Sequence, residues 1–298
     1  MDAKVAARFF RVSERPDATV PEFSDLLLSQ MPVTLTARER VLTDGVVLRL
    51  EDCKPSGDVI EGEFCRIQTA NLPPSAGPQG LAPVELKDGH GLGHMAAFRY
   101  HLPTRVLLLQ TNSLNASISR ISEYVAALNA SGVYFMRPVL TQDAWDRFTQ
   151  KPIRSMQVAF ASPANLEGID KIDLPALAGA KMLAEAYDGV TVEITVSVGK
   201  KRKSQLDAEA VKTTLMSILG LGKGLRKARV QTGGDPEDHE RGINFLKEHM
   251  RIRKELTLPE KDHAGNYEIR RAFLREGMDD KLAHLNELYG PKPNDVFS

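Results

Sequence analysis

A predicted β-hairpin between Gly45 and Ala70 constrains the fold of this chain most strongly. Apolar residues recur on both sides of the sequence Lys-Pro-Ser-Gly, whose proline, serine and glycine are typical of a tight turn. The apolar residues of the two arms are Val47, Leu48, Leu50, Val59, Ile60, Phe64 and Ile67. The N-terminal part of the chain is therefore predicted to contain paired strands.

The positions of the two cysteines argue against a disulfide bond. With a turn at Lys54–Gly57, Cys53 would lie opposite about Asp58 and not opposite Cys65. Two cysteines are also too few for a zinc site built from thiolates. We therefore expect free thiols in a reducing compartment, the cytosol.

The order of apolar patterns along the chain predicts the fold class. Strand patterns dominate the opening, and residues 72–83 are a loop rich in proline and glycine. Strand and helix patterns alternate afterwards and end in a helical C-terminus. We therefore expect a mixed α+β protein, with a β-rich region at residues 1–95 and a mixed α/β region at residues 96–298.

The sequence predicts three helices that are marked by an N-cap residue, an acidic first turn and an internal glycine, respectively. Ser117 is a candidate N-cap for a helix that starts at Ile118. Residues 235–250 are predicted to form a helix with an acidic first turn, as the helix dipole favours. The last helix, over residues 266–290, is expected to break near Gly277.

Composition and motifs exclude several classes of function. The 39 basic and 39 acidic side chains cancel, so no global attraction to nucleic acid or to a membrane surface is expected. Charged residues near the start leave no room for a signal-peptide core, and the apolar runs are too short to span a bilayer. The sequence contains no phosphate-binding loop, nucleophile elbow or dinucleotide fingerprint. We expect a cytoplasmic protein that has no membrane attachment and no cofactor, and we assign no catalytic residue.

A local excess of positive charge is the main functional signal. Between Lys200 and Arg229 there are nine cations and two acids, a net charge of +7. Such clustering is expected where a protein contacts the phosphates of a nucleic acid. The run Lys200–Lys203 lies between a predicted strand and a predicted helix, where free backbone N–H groups favour anions. The predicted phosphate contacts are Lys200, Lys201, Arg202, Lys203, Lys223, Arg226, Lys227 and Arg229.

The same run also fits a solvated turn whose lysines protect a strand against aggregation. Two further cationic groups would extend the surface if the fold brought them together. They are Arg251, Arg253 and Lys254, and Arg270, Arg271 and Arg275.

Two other functions remain open. Asp58 with Glu85 and Lys87 fits the acid and acid-x-lysine pattern with which a metal-dependent nuclease holds Mg²⁺ and orients water. His90 and His94 have the spacing of metal ligands on a helix, but the glycines between them argue against a helix. Alternatively, the protein is an oligomeric structural or assembly protein whose basic patch binds an acidic protein partner.

Three stretches carry a resemblance to known proteins. They are "GVVLRLEDCKPSGDVIEGEFCRIQTANLPP", "GLGHMAAFRYHLPTRVLLLQTNSLNASISRISEYVAAL" and "KARVQTGGDPEDHERGINFLKEHM". Their order resembles a group of uncharacterised bacterial and phage-borne proteins of about this length, some of them encoded near phage-defence genes. A more distant similarity is to the DNA-binding B component of the Kiwa defence system. The resemblance spans most of residues 40–255 and implies a defence-related protein that binds nucleic acid or a partner protein without being an enzyme. It implies no individual functional residue.

Overall fold

The structure, a computed structural model, describes most of the chain. The described residues are 2–14, 20–43, 45–112, 114–129, 134–161, 179, 181–183, 186, 191–199, 204–221, 225–233 and 242–291. They form a mixed α+β protein with a β-rich N-terminal part and a helical C-terminus, which confirms the predicted fold class. No helix among these residues has the length and apolar character needed to cross a bilayer.

The chain divides into two compact units. Unit 1 comprises Met1–Met136 together with Arg251–Ser298, and unit 2 comprises Arg137–Met250. Unit 2 is therefore inserted, along the sequence, between two parts of unit 1.

An eight-stranded sheet forms the centre of unit 1. Its strands are β1 (Asp2–Glu14), β2 (Arg40–Val41), β3 (Val47–Ser56), β4 (Val59–Gln68), β7 (Leu92–His101), β8 (Val106–Thr111), β9 (Tyr134–Pro138) and β14 (Arg251–Thr257). The order is β14-β1-β8-β7-β4-β3-β2, and β9 pairs with β1. The proline-rich loop contains only a small exposed hairpin of β5 (Ser75–Gly77) and β6 (Gly80–Ala82).

The predicted hairpin of β3 and β4 is present, but its turn lies further along the chain than expected. Ser56 pairs with Val59, so the turn is formed by Gly57 and Asp58. Gly57 has a φ of 62°, which glycine adopts without steric cost. This shift makes the predicted register wrong, because Cys53 lies opposite Gly62. Both cysteines are buried free thiols.

Two helices cover one face of this sheet. They are α1 (Phe23–Leu28) and α2 (Ile118–Leu128). The predicted cap of α2 is confirmed, since the Ser117 side chain accepts a hydrogen bond from the N–H of Arg120. The buried Tyr124 hydroxyl joins α2 to the sheet, because it accepts from the N–H of Leu50 (3.1 Å) and donates to the carbonyl of Arg38 (2.9 Å).

The opposite face carries the C-terminal helix, which lies over a row of buried charges. This helix is α5 (His263–Tyr289), and it is continuous through Gly277. The predicted break is wrong because Gly277 serves packing, and a Cβ at this position would collide with the side chain of Ile252. The buried charged residues on this side are Glu61 and Glu63 of β4, Arg99 of β7 and Arg270 of α5.

Ion pairs within the sheet, and between the sheet and the helix, neutralise these charges. Glu61 pairs with Arg99 directly opposite on β7, and with Arg271 of α5 at 2.5 Å. Glu63 pairs with Arg270 at 2.6 Å. Burial raises the pKa of Glu63, although the nearby Arg270 opposes that shift. The helix is therefore attached to the sheet partly by charge and not only by apolar contacts.

Unit 2 has its own sheet and its own core. The strands are β10 (Ile153–Ala161), β11 (Thr191–Ser197), β12 (Leu225–Thr232) and β13 (Ile243–Asn244), in the order β11-β10-β12-β13. The described helices of this unit are α3 (Gln142–Gln150) and α4 (Ala208–Leu221). The core includes Phe148, Phe160, Leu215, Val230 and Phe245, and Trp145 packs against it.

The predicted helix over residues 235–250 is wrong for the part that the structure describes. Ile243 pairs with Val230 in β13, and the N–H of Phe245 donates to the carbonyl of Ala228 at 2.9 Å. Ile243 and Phe245 are both fully buried with Asn244 between them, which is the two-residue period of a strand. Packing of these two side chains outweighs the helical tendency of the segment.

The buried thiols give a prediction for alkaline pH. Burial raises the pKa of Cys53 to about 12 and that of Cys65 to about 11, from an ordinary value of 9.0. A thiol whose pKa rises on folding stabilises the folded protein below its unfolded pKa, and the contribution is lost as pH rises towards the folded pKa. We expect the free energy of unfolding of unit 1 to fall between pH 9.0 and about pH 11.

Urea unfolding at several pH values, followed by iodoacetamide labelling, measures this effect. At neutral pH both thiols should stay unlabelled until urea unfolds unit 1, because a buried protonated thiol reacts slowly. Fast labelling of the native protein at neutral pH would show that the two side chains are accessible and that the pKa values are not raised.

Candidate nucleic-acid interface

The residues predicted to contact phosphates fall partly on β12. Lys200, Lys201, Arg202, Lys203 and Lys223 lie outside the described residues. The other three, Arg226, Lys227 and Arg229, are all on β12. Arg226 and Arg229 are exposed, and Lys227 is half-buried.

The outer face of the unit 2 sheet is polar. Glu193 of β11, Ala159 of β10 and Lys227 lie in one row across three strands. Because Ala159 is small, the Lys227 ammonium reaches over it to the Glu193 carboxylate at 2.7 Å. Because of this ion pair, Lys227 is less available than an unpaired cation to bind a phosphate. Arg229 occupies the next row of the same face, opposite Gln157.

Arg226 is positioned by an irregularity in β12. The register between β10 and β12 shifts beside it, since Lys227 pairs with Ala159 while Leu225 pairs with Phe160. A bulge of this kind turns a side chain away from the regular alternation. Neither Arg226 nor Arg229 forms an ion pair with any residue that the structure describes.

The residues that flank Lys200–Lys203 are both held at the start of β10. On one side, the N–H of Val198 donates to the carbonyl of Arg154 at 3.1 Å. On the other side, the N–H of Leu206 donates to the carbonyl of Ile153 at 2.8 Å. The Arg154 guanidinium also donates to the carbonyl of Ser204. These bonds fix where the cationic run leaves and rejoins the sheet.

The two further cationic groups differ in their surroundings. In unit 1, Arg270 and Arg271 are occupied by the buried carboxylates Glu63 and Glu61, so they are not available to a ligand. Arg275 on the same helix is exposed. Sequence reasoning took all three as possible surface contacts, and the structure corrects this for the first two.

The other group lies on the edge strand β14. Arg251 and Arg253 are exposed, and Lys254 on the opposite face pairs with Glu276 at 2.6 Å. Antiparallel pairing with β1 brings in Lys4 and Arg8, which sequence reasoning missed. The alternation along β1 signals that Lys4 and Arg8 share a face, but it does not show which strand lies beside them.

The residues of the nuclease hypothesis do not converge in the structure. Asp58 lies in the exposed turn that precedes β4, whereas Glu85 and Lys87 lie in an exposed loop before β7. β4 and β7 are antiparallel, so this loop enters β7 opposite the far end of β4, where Gln68 pairs with Leu92. No cluster of three or more potential metal ligands occurs among the described residues.

The two histidines that have ligand spacing are engaged locally. A ring nitrogen of His90 lies 3.0 Å from the carbonyl oxygen of Asp88, and Nε2 of His94 lies 2.9 Å from the Gln68 side-chain oxygen. Burial lowers the pKa of His94. His90 therefore lies just after a turn and His94 lies in β7. The two side chains do not share one face of a helix, as two ligands of one metal would.

Comparison with known proteins places most of the chain in one family model. The model is described as a family of unknown function, DUF6731, and it matches residues 34–276. The matched range contains the hairpin of β3 and β4, all of unit 2 and the edge strand β14. Among curated proteins, a search finds no match.

Proposed function

Because the chain belongs to DUF6731, a family of unknown function, its own residues must suggest its activity, and we propose that it is a non-enzymatic nucleic-acid-binding accessory protein. In this proposal, phosphates are contacted by the basic segment of unit 2, Lys200–Lys203 with Lys223, Arg226, Lys227 and Arg229. The resemblance to proteins encoded near phage-defence genes supports an anti-phage role in the cytoplasm.

The observation that carries the proposal is the exposure of Arg226 and Arg229. Both are exposed on β12, in a segment that bears a net charge of +7 within a chain of net charge zero. A guanidinium that has no carboxylate partner is free to bind a phosphate oxygen through two parallel N–H groups. Lys227, the third described cation among the predicted phosphate contacts, has the Glu193 carboxylate as a partner, and we expect it to contribute less.

Binding of this kind attracts the phosphate backbone without reading the bases. Each phosphate that is neutralised releases counterions, so affinity falls with salt by about 0.9 log unit per log unit of salt on duplex DNA. We therefore expect sequence-independent binding, preferentially to DNA. The slope of log affinity against log salt should be proportional to the number of cations that contact phosphates.

The test is a titration of labelled double-stranded and single-stranded DNA with the full chain across a salt series. In one variant Lys200, Lys201, Arg202 and Lys203 are all changed to Glu, and a second variant carries Arg226→Gln with Arg229→Gln. We expect the first change to abolish binding. The second should lower the salt slope by about 0.9 for each contact that it removes.

The matched control is Lys87→Gln with Lys261→Gln, which removes two exposed cations from unit 1. This control should bind like the wild-type protein. If the wild type does not bind at low salt, or if the control loses as much affinity as the Arg226 and Arg229 variant, the basic segment is not a phosphate site.

A further inference from the structure

The edge strand β14 is open to pairing with another chain. It is the terminal strand of its sheet, and β1 is the only described strand that pairs with it. The register runs without a bulge over seven residue pairs, from Asp2 opposite Thr257 to Arg8 opposite Arg251. No described backbone group outside the sheet hydrogen-bonds to residues 251–257. The strand also contains no proline. Within the described part of the chain, it therefore lacks the bulge, the proline and the covering segment that protect many edge strands.

Charge on one face of this edge has a single sign over most of its length. Lys4, Arg8, Arg251 and Arg253 share that face, because residues two apart point the same way and paired residues lie side by side. Arg8 and Arg251 are direct cross-strand neighbours, an arrangement that destabilises a sheet by like-charge repulsion. None of the four forms an ion pair with a described residue. An anionic partner would relieve this repulsion.

The acids of the same face lie towards one end of the strand. Glu255 is opposite Lys4, and the Asp2 carboxylate accepts a hydrogen bond from the Thr257 hydroxyl at 2.6 Å. The cationic part of the edge is therefore the half that contains Arg251 and Arg253. The small side chain of Ala6 lies opposite Arg253, and a shallow groove of about 440 Å³ at this place is lined by Lys4, Val5, Ala6, Arg253, Lys254 and Glu255.

We propose that an extended acidic segment of a partner protein adds to β14 as a further strand of the sheet. The open edge offers both N–H donors and carbonyl acceptors, and a peptide strand supplies the complement of both. A DNA backbone supplies acceptors but no donors for the carbonyl groups, and an RNA backbone supplies only its 2′-hydroxyl groups as donors. A second copy of β14 paired antiparallel about Ile252 would place Arg251 beside Arg253 of that copy, and a copy paired about Lys254 would place the two Lys254 side chains together, so like charges meet in both arrangements.

The alternation of side chains along β14 predicts the sequence pattern of the partner segment. Acidic side chains at alternate positions of the added strand would lie beside Arg251 and Arg253, on the cationic face. On the other face, Ile252 is half-buried and Leu256 is buried, so short or β-branched apolar residues fit between the acids. This proposal concerns unit 1 alone and does not depend on nucleic-acid binding by unit 2.

The experiment measures binding of a labelled peptide, as long as β14, with glutamate at alternate positions and threonine or valine between them. The same peptide with N-methyl groups on the backbone tests for strand pairing, and a version with lysine for glutamate tests for charge. With the wild-type full chain, we expect the first peptide to bind and each altered peptide to bind at least about tenfold more weakly.

Two variants of the full chain locate the site. Arg251→Glu with Arg253→Glu should weaken binding of the acidic peptide by about tenfold or more. Lys54→Glu with Lys87→Glu makes the same change of charge on β3 and in the loop before β7, three or more strands away from β14 in the sheet, and it should leave binding unchanged. The altered peptides need no change to the protein, so they remain decisive even if the Arg251 variant fails to fold.

Three results would overturn the proposal. Equal binding of the N-methylated peptide would show attraction by charge without strand addition. Duplex DNA that displaces the peptide and loses affinity in the Arg251 variant would assign the edge to nucleic acid. A dimer that the Arg251 variant converts to monomer would assign the edge to a second copy of the chain.

Discussion

Glu61→Gln is expected to destabilise unit 1 by about 3–5 kcal/mol, because it removes one member of a buried charge network. Glu61 is fully buried, and its carboxylate is the shared partner of Arg99 and Arg271. Hydrogen bonding to Glu61 raises the pKa of Arg271, so this carboxylate stabilises the charged guanidinium. A glutamine keeps the size of the side chain but leaves Arg99 without its counter-charge in a poorly solvated place, and leaves Arg271 with only the exposed Glu268 as a partner.

The same helix supplies the control. Glu268 also pairs with Arg271, at 3.1 Å, but its side chain is 58% exposed. Exposed pairs contribute about 0–1 kcal/mol, so Glu268→Gln should be close to neutral. Equal effects of the two substitutions would show that Glu61 is better solvated than the structure indicates.

The two units can be followed separately in these measurements. Both cysteines lie in unit 1, and the only tryptophan, Trp145, lies in unit 2. Thiol labelling in urea therefore reports the unfolding of unit 1, and tryptophan fluorescence reports unit 2. Glu61→Gln should shift the thiol transition to lower urea, since the lost free energy belongs to unit 1.

Gly62→Ala is expected to be the second most damaging change, although it adds one methyl group. Gly62 lies between Glu61 and Glu63 on β4, next to the register shift between Leu50 and Asp52 on β3. A Cβ at Gly62 would overlap the carbonyl oxygen of Asp52 and come within 2.7 Å of the Phe98 ring. A backbone oxygen cannot rotate away, so the strands must separate, at a cost of about 3 kcal/mol.

Gly77→Ala is the matched control, because an added Cβ there meets no atom within 4 Å and the residue is exposed. Its effect should stay within about 0.5 kcal/mol. Urea titration with thiol labelling compares the two variants. A Gly62→Ala protein as stable as the control would mean that β3 and β4 adjust their separation without cost.

The sequence predicts those parts of the fold that depend on neighbouring residues. Alternating apolar residues identify the arms of the β3 and β4 hairpin, and a serine at the right distance identifies the start of α2. The turn position is less well determined, because Pro55 and Ser56 are residues that turns favour, although both lie in β3. The helix prediction at residues 243–245 is wrong for another reason. This segment is extended because it pairs with β12, and the local sequence does not indicate that pairing.

The sequence identifies the cations of the candidate interface, but it does not show which of them are exposed or lie next to one another. Nothing in the sequence distinguishes Arg271, whose partner is a buried glutamate of β4, from Arg251, which faces solvent. Lys4 and Arg251 come from opposite ends of the chain, and only the pairing of β1 with β14 brings them together. Long-range pairing decides which cations are free, and local patterns carry no information about it.

The insertion of unit 2 between two parts of unit 1 has a consequence for synthesis on the ribosome. At about 5–20 residues per second, the segment Arg251–Ser298 follows the last residue of unit 2 by roughly 2–10 s. During that interval unit 2 has its complete sequence, while residues 2–8 of β1 lack β14 and Glu61 lacks Arg271. A nascent chain that stops within this segment would therefore carry a finished unit 2 and a unit 1 with an open sheet, a substrate for chaperones or proteases.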